Sequence, residues 1–302
     1  MKIQNFNSKD SQNLVAFFNE TSQITGTNKE ISLTLFLQRL NMPSVTAEED
    51  YFIARVNNKI VGVLEMKNES LISRAVAIQT IPHSHIEIEV LEQLTKEALA
   101  YSQRKSLSVL HMQSTLSDEV AFSSLTRTGF KKVKTYLELE WQGRILQDLL
   151  LPENYRIRPF MLGQDEEALT NLQNVAFREH WGFCPNSVAE IKTRVQMERS
   201  RPEGIIFIEN ESSIAGYNWT LLSENAKDKV GWISMTGIHP DFRRNRLGRA
   251  VVLAGMHSLI TRGAKSIELE VDSENIPARE LYKSLGFKPI SSNQWFEKHL
   301  NL

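Results

Sequence analysis

The stretch richest in chemical potential runs Trp232-Ile233-Ser234-Met235-Thr236-Gly237-Ile238-His239-Pro240-Asp241-Phe242-Arg243-Arg244-Asn245-Arg246-Leu247-Gly248-Arg249. Trp232 to Ile238 has the composition of a strand, and Pro240 ends it. Leu247, Ala250, Val251, Ala254 and Ser258 then recur at helical spacing up to a stop at Gly263. A strand therefore passes through a basic turn into a helix. Unpaired backbone N–H groups and the positive end of the helix dipole meet at such a start, and Arg243, Arg244, Arg246 and Arg249 add charge there. That combination suits a pyrophosphate, with Gly248 leaving room for a ligand to reach the backbone. Taken alone, four arginines on a first turn read more readily as a solvated face, so the neighbouring segments decide.

The next segment continues the pattern. Ile267, Leu269 and Val271 alternate as a strand, and Asn275-Ile276-Pro277-Ala278-Arg279-Glu280-Leu281-Tyr282 opens a short helix with Pro277 at its start. That helix stops at Leu285-Gly286-Phe287, and Tyr282 shares a face with Ala278 and Leu285, so it points into the same core or cleft.

These two segments together resemble the GCN5-related N-acetyltransferases, the GNAT superfamily. The family's acyl-CoA signature is an aliphatic-x-Pro strand end followed by Arg/Gln-x-x-Gly-x-Gly/Ala. It is matched by Ile238-His239-Pro240 and by Arg243-Arg244-Asn245-Arg246-Leu247-Gly248, with Arg246 in place of the first glycine. A second signature, Asn-x-x-Ala-x-x-x-Tyr before a Gly-Phe helix end, is matched by Asn275, Ala278, Tyr282 and Gly286-Phe287.

The resemblance implies acetyl-CoA as co-substrate, held by Thr236, Gly237, Ile238, His239, the turn from Arg243 to Arg249, and Asn275. It implies direct attack by an amine on the thioester, with backbone N–H groups from Thr236 to Ile238 polarising the carbonyl and Tyr282 protonating the departing thiolate. The strand position where many relatives carry a glutamate is Trp232, and no carboxylate lies between Gly231 and Pro240. Glu270 and Asp272 are then candidate bases acting through water, or residues that face solvent or cap the following turn. Ala176 to Pro185 resembles the loop that covers the acceptor in such proteins. There His180 and Trp181 either contact substrate or close the helix and pack the loop. A catalytically silent module that binds or senses acyl-CoA is the alternative function.

The elements that must position these residues occur twice. Ile3, Phe6, Asp10 and Leu14 find counterparts in Ile157, Phe160, Asp165 and Leu169 at offsets of 154, 154, 155 and 155. The hairpin around Gly62 recurs around Gly216 at 154, and the helix end at Gly129-Phe130-Lys131 recurs at Gly286-Phe287-Lys288 at 157. This predicts an α/β (α+β) chain of two tandem GNAT-like domains, residues 1–145 and 153–302. Each is a mixed, mainly antiparallel twisted sheet flanked by helices. The layout resembles two-domain superfamily members of the mycothiol synthase type. In the first copy Pro82 corresponds to Pro240 at an offset of 158, but His83-Ser84-His85-Ile86-Glu87-Ile88-Glu89 follows, with no arginine or glycine. Glu87 and Glu89 would repel a pyrophosphate, so this copy is expected not to hold CoA and to serve a structural role or wall the substrate cleft.

Composition narrows the remaining classes. Across 302 residues, 41% hydrophobic and 24% charged content is that of a globular protein with a core, and the formal charge of -1 gives no global pull toward nucleic acid or an anionic membrane. The single cysteine, Cys184, excludes intrachain disulfides and a cysteine-rich zinc site. His83-x-His85 lacks a nearby carboxylate or cysteine partner, so no metal is expected. With no apolar run near the roughly 18 residues of a spanning helix and no signal-like start, the chain is expected in the cytoplasm, with a small-molecule or peptide amine as partner.

Overall fold

The computed structural model describes residues 1–25, 30–82, 87–115, 118–143, 145–222 and 229–300. His83 and His85 lie outside the described residues. Two compact units are present, one formed by Met1–Thr135 with Asn293–Leu302 and the other by Tyr136–Ser292.

The first unit contains β1 (Lys2–Asn5), α1 (Ser11–Ile24), α2 (Leu33–Leu40), α3 (Ala47–Asp50), β2 (Tyr51–Val56), β3 (Lys59–Glu69), β4 (Arg74–Thr80), α4 (Glu87–Arg104), β5 (Val109–Thr115) and α5 (Glu119–Arg127). β6 (Lys131–Trp141) leads out of it. In the second unit follow β7 (Arg156–Pro159), α6 (Glu166–Phe177), α7 (Val188–Arg194), β8 (Ile205–Glu209), β9 (Ile214–Leu222), β10 (Val230–Ile238), α8 (Leu247–Thr261), β11 (Ser266–Asp272) and α9 (Ile276–Ser284). β12 (Lys288–His299) then runs back to the first unit.

The sheets share one plan. In the first unit β1, β2, β3 and β4 are antiparallel neighbours, β4 and β5 run parallel, and Asn293 to His299 of β12 pairs antiparallel with β5. In the second, β7, β8, β9 and β10 are antiparallel neighbours, β10 and β11 run parallel, and Tyr136 to Trp141 of β6 pairs antiparallel with β11. Each unit thus takes its last strand from a segment that the chain-order limits of 1–145 and 153–302 assign to the other. A repeat offset locates similar segments but carries no information on which sheet edge a strand joins, because that pairing is made with residues far away in the chain.

This exchange has an energetic consequence. Phe296 of β12 is 1% exposed in the first unit's core, with Leu64, Leu94, Tyr101 and Leu110, and its ring meets Phe122 edge-on at 5.6 Å. Phe296→Ala is expected to destabilise that unit by about 3–5 kcal/mol. A lowered denaturant midpoint for probes in the first unit is the check.

In the second unit the sheet is covered on both faces. α6 and α7 bury Leu169, Leu172, Ile191 and Val195 against Phe207, Tyr217 and Trp219, while α8 and α9 bury Val252, Leu253, Met256 and Tyr282 against Ile233, Leu269 and Val271. α8 is apolar on nearly every side, as a helix packed between other elements must be. Gly255 lets it close on β9, since a Cβ there would lie 1.9 Å from Asn218 Oδ1.

Candidate active site

β10 is held on one side only at its end. Its parallel pairing with β11 stops at Ile233↔Leu269, whereas its pairing with β9 shifts register between Ile233 and Met235 and continues to Ile238↔Gly216. His239 N then donates to Ala215 O at 2.9 Å. Donors on an antiparallel strand alternate between its two edges, so the amides of Ile238 and Thr236 face the edge that β11 has left. Two N–H groups thus line a gap between parallel strands.

The turn that follows is built from strained backbone. Pro240–Phe242 forms a short 3₁₀ turn, and Arg244 and Arg246 both take left-handed conformations, with φ of 68° and 61°. Arg246 is the residue before α8 and makes no side-chain cap. The departure from glycine read in the sequence therefore falls on a position whose backbone favours glycine. Among the described residues, none accepts a hydrogen bond from the main-chain N–H groups of Arg244 to Arg249. Left-handed residues next to a helix start turn successive amides toward one concave point, which suits an anion. Arg246→Gly is expected to raise stability by about 0.5–1 kcal/mol by removing the left-handed penalty, partly offset by glycine's added chain entropy. A thermal midpoint that falls instead would show that the guanidinium holds the turn.

The structure divides the four arginines into two kinds. Arg243 donates from Nη2 to Ala176 O in the last turn of α6 at 2.9 Å, tying the turn to that helix. Arg249 donates to Ser284 Oγ at 2.8 Å and to Gln147 Oε1, tying α8 to the end of α9 and to the segment before β7. Arg244 and Arg246 are exposed and have no hydrogen-bond or ion-pair partner among the described residues. Arg243 and Arg249 thus satisfy protein acceptors, whereas Arg244 and Arg246 present free guanidinium groups among the described residues. Asn245 Nδ2 donates to Phe242 O at 3.3 Å, and His239 Nδ1 accepts from Asp241 N at 3.3 Å. Leu247 is buried beneath the turn, and a Cβ on Gly248 would meet nothing nearer than 3.8 Å, so internal packing does not require that glycine.

Tyr282 lies on the α8–α9 face, 9% exposed, its ring edge-on to Phe287 at 5.7 Å. Its hydroxyl is a hydrogen-bond neighbour of the Thr236 side chain. Burial pushes the phenol above its ordinary value, and the Thr236 contact pulls it back in part. Asn218 Nδ2 donates to Thr236 Oγ1 at 2.7 Å, which leaves the threonine hydrogen to point at the phenol. Asn218 was missed in the sequence, although a polar residue set between Tyr217 and Trp219 in an apolar strand was a usable signal. Asn275 accepts from Ala278 N at 3.2 Å and so caps α9.

Glu270 and Asp272 occupy the opposite face, since Leu269 and Val271 between them point into the α8–α9 core. Glu270 is opposite Glu138 and Asp272 opposite Tyr136 on β6, and Asp272 Oδ1 also accepts from Glu274 N at 2.9 Å, closing the turn before α9. The Trp181 ring lies 6.5 Å from that of Tyr136, which brings Trp181 to the Asp272 side of the sheet. The His180 ring packs on Phe177 at 4.7 Å. Trp232 sits opposite Leu221 and Glu268. Tyr282 and the two acidic candidates are therefore on different faces of the sheet.

The first unit contains a comparable parting, since β4–β5 pairing stops at Ala77↔Met112 while β3–β4 pairing reaches Thr80. There Gln79 Nε2 reaches Thr95 Oγ1 of α4 at 3.2 Å, and the first turn of α4 carries Glu87 and Glu89. Among the described residues no group of three or more His, Cys, Asp or Glu is arranged to hold a metal, and no helix is long and apolar enough to cross a membrane.

A sheet whose parallel pair parts at its end, with a helix start at the foot of the parting, defines the GNAT fold class, and here it is carried twice. Residues 166–287 match the acetyltransferase (GNAT) family. It is 36% identical over 140 residues to a mycothiol acetyltransferase of Thermobispora bispora, covering 45% of this chain and 48% of that protein. It is 30% identical over 161 residues to a mycothiol acetyltransferase of Thermomonospora curvata, covering 53% of each. The chain spans about half the length of the curated relatives it matches. Among solved structures, a GCN5-related N-acetyltransferase from Sphaerobacter thermophilus superposes with a TM-score of 0.76 at 17% identity, covering 100% of this chain and 97% of that one. A tandem GNAT protein from the clavulanic acid biosynthesis pathway gives 0.77 at 12%, covering 100% and 99%.

Proposed function

We propose that this protein is an N-acetyltransferase of the cytoplasm. Its second unit would move the acetyl group of acetyl-CoA directly to an amine of a small molecule or peptide. The observation that supports this reading is the run of main-chain N–H groups from Arg244 to Arg249 that find no acceptor among the described residues, beside the guanidinium groups of Arg244 and Arg246, which find none there either. Those groups would grip the diphosphate of CoA, and the Thr236 and Ile238 amides would polarise the thioester carbonyl at the gap. The amine would approach from the side of Trp181, Glu270 and Asp272, while the thiolate would leave toward Tyr282, which donates the proton. No covalent enzyme intermediate is required. The second unit alone would hold CoA, because the corresponding helix start in the first unit carries Glu87 and Glu89.

Trp232 in place of a strand carboxylate supports a second reading, an acyl-CoA-binding module without turnover. Calorimetric titration with acetyl-CoA, followed by thiol release across a broad amine panel, separates the two. Binding with release supports the transferase, binding without release supports the silent module, and absence of binding overturns both.

A further inference from the structure

On its α8–α9 face the second unit buries a polar side chain that packing does not require. Asn218 of β9 is 0% exposed, between Tyr217 and Trp219 in the chain. Gly255 of α8 makes room for it, since a Cβ there would lie 1.9 Å from Asn218 Oδ1 and 2.6 Å from its Cγ. A glycine inside a helix and an amide inside an apolar core are each locally unfavourable. Asn218 Oδ1 finds no hydrogen-bond partner among the described residues, so the amide is kept for its other end. Two unfavourable choices at one contact mark a functional constraint.

The first unit shows what packing alone accepts. Leu64 stands two residues after Gly62 as Asn218 stands two after Gly216, and Leu125 stands four before Gly129 as Tyr282 stands four before Gly286. Both leucines are buried in the first unit's core. The unit whose helix start carries Glu87 and Glu89 thus has neither the amide nor the phenol at these places.

The Nδ2 end of Asn218 leads toward the gap. It donates to Thr236 Oγ1 at 2.7 Å, and Thr236 is its cross-strand partner on β10. A hydroxyl has one hydrogen and two lone pairs, so with a lone pair taken by Nδ2 the threonine hydrogen is left for the Tyr282 oxygen, its other hydrogen-bond neighbour. Without that donor the hydroxyl could equally accept from the phenol and turn its hydrogen elsewhere.

We propose that Asn218 and Thr236 are positioning residues for Tyr282, the amide fixing the threonine hydroxyl so that its hydrogen meets the phenol oxygen. This rests on the transferase reading. As the C–N bond forms and the C–S bond breaks, sulfur takes the Tyr282 proton and Thr236 donates to the phenolate left behind. The nitrogen sheds its proton to water, and water returns one to the phenolate. A donor aimed at charge that develops only during the reaction raises kcat and leaves ground-state binding unchanged.

Thiol-release kinetics of Thr236→Val and Asn218→Ala, each alone and combined with Tyr282→Phe, test the chain. Each single variant is expected to lower kcat about 10-fold with the KM for acetyl-CoA unchanged, the loss of one hydrogen bond to a developing charge. In the Tyr282→Phe background the same substitutions should change kcat by less than about twofold, because residues that act through one group are not additive. Thr236→Ser, which keeps the hydroxyl, should retain most of the rate. Losses that multiply in both backgrounds would make Asn218 and Thr236 packing residues and overturn the proposal. A second readout needs no turnover. In protein labelled with ¹³Cζ-tyrosine, the signal that disappears in Tyr282→Phe should move in Thr236→Val, move the same way in Asn218→Ala and stay in place in Thr236→Ser. A Tyr282 signal indifferent to Asn218→Ala would overturn the chain whatever the kinetics. Absence of thiol release from every amine, with the signal moving as expected, would defeat the transferase reading and the catalytic role with it, leaving only the orientation of the phenol.

Discussion

Tyr282→Phe is expected to lower kcat about 100-fold while leaving the KM for acetyl-CoA nearly unchanged, the lower end of what a positioned general acid contributes. The substitution removes one oxygen from a ring packed against Phe287 in the α8–α9 core, so the packing survives. What is lost is a phenol held above its ordinary range by burial, the group that the proposed transfer uses as proton donor. The sign matters for pH dependence. A raised value keeps the phenol protonated to higher pH, so the wild-type enzyme should show no loss of turnover from Tyr282 ionisation across neutral and mildly alkaline pH. Thiol-release kinetics from pH 6 to about 9 test both statements. Unchanged turnover in the variant would remove Tyr282 from the chemistry. A matching rise in KM would make it a packing residue instead.

Reversing both exposed charges of the turn, Arg244→Glu with Arg246→Glu, should weaken acetyl-CoA binding by roughly 100-fold or more, since two charge-assisted contacts become two repulsions. Neither side chain has a partner within the described protein, so the fold should keep its melting temperature to within a few degrees. Wild-type affinity should also fall as salt rises, because contacts on an exposed turn are screened within about 8–10 Å at ordinary ionic strength. Calorimetry in low and high salt measures both effects. Affinity within twofold of wild type would show that the diphosphate is held elsewhere. Arg243 and Arg249 are poor choices for this test, because their loss would free Ala176 O, Ser284 Oγ and Gln147 Oε1 and loosen the helices they join.

Some of the site was legible before any coordinates because it is local. The passage from Trp232 through Pro240 into Leu247 places strand end, turn and helix start within one short stretch, and their geometry follows from proline, helical spacing and the unpaired amides of a first turn. Tyr282 could likewise be assigned to an inward face from its spacing to Ala278 and Leu285, and it is buried there. The doubled pattern around Gly62 and Gly216 pointed to repetition of one plan, and both sheets have one parallel pair that parts at its end.

By itself, then, the sequence determined the class of each element, the basic strand-to-helix turn and the repeat, since each depends on neighbours a few residues away. Tertiary structure alone decided which arginines turn inward and which sheet receives Tyr136 to Trp141 or Asn293 to His299. It also decided that Asn218, Thr236 and Tyr282 form one chain of contacts while Glu270 and Asp272 face the other way. The reason is physical. An arginine's reach spans several possible partners, and a strand's own residues do not name the sheet edge it joins, so only the packed register chooses among the arrangements open to it.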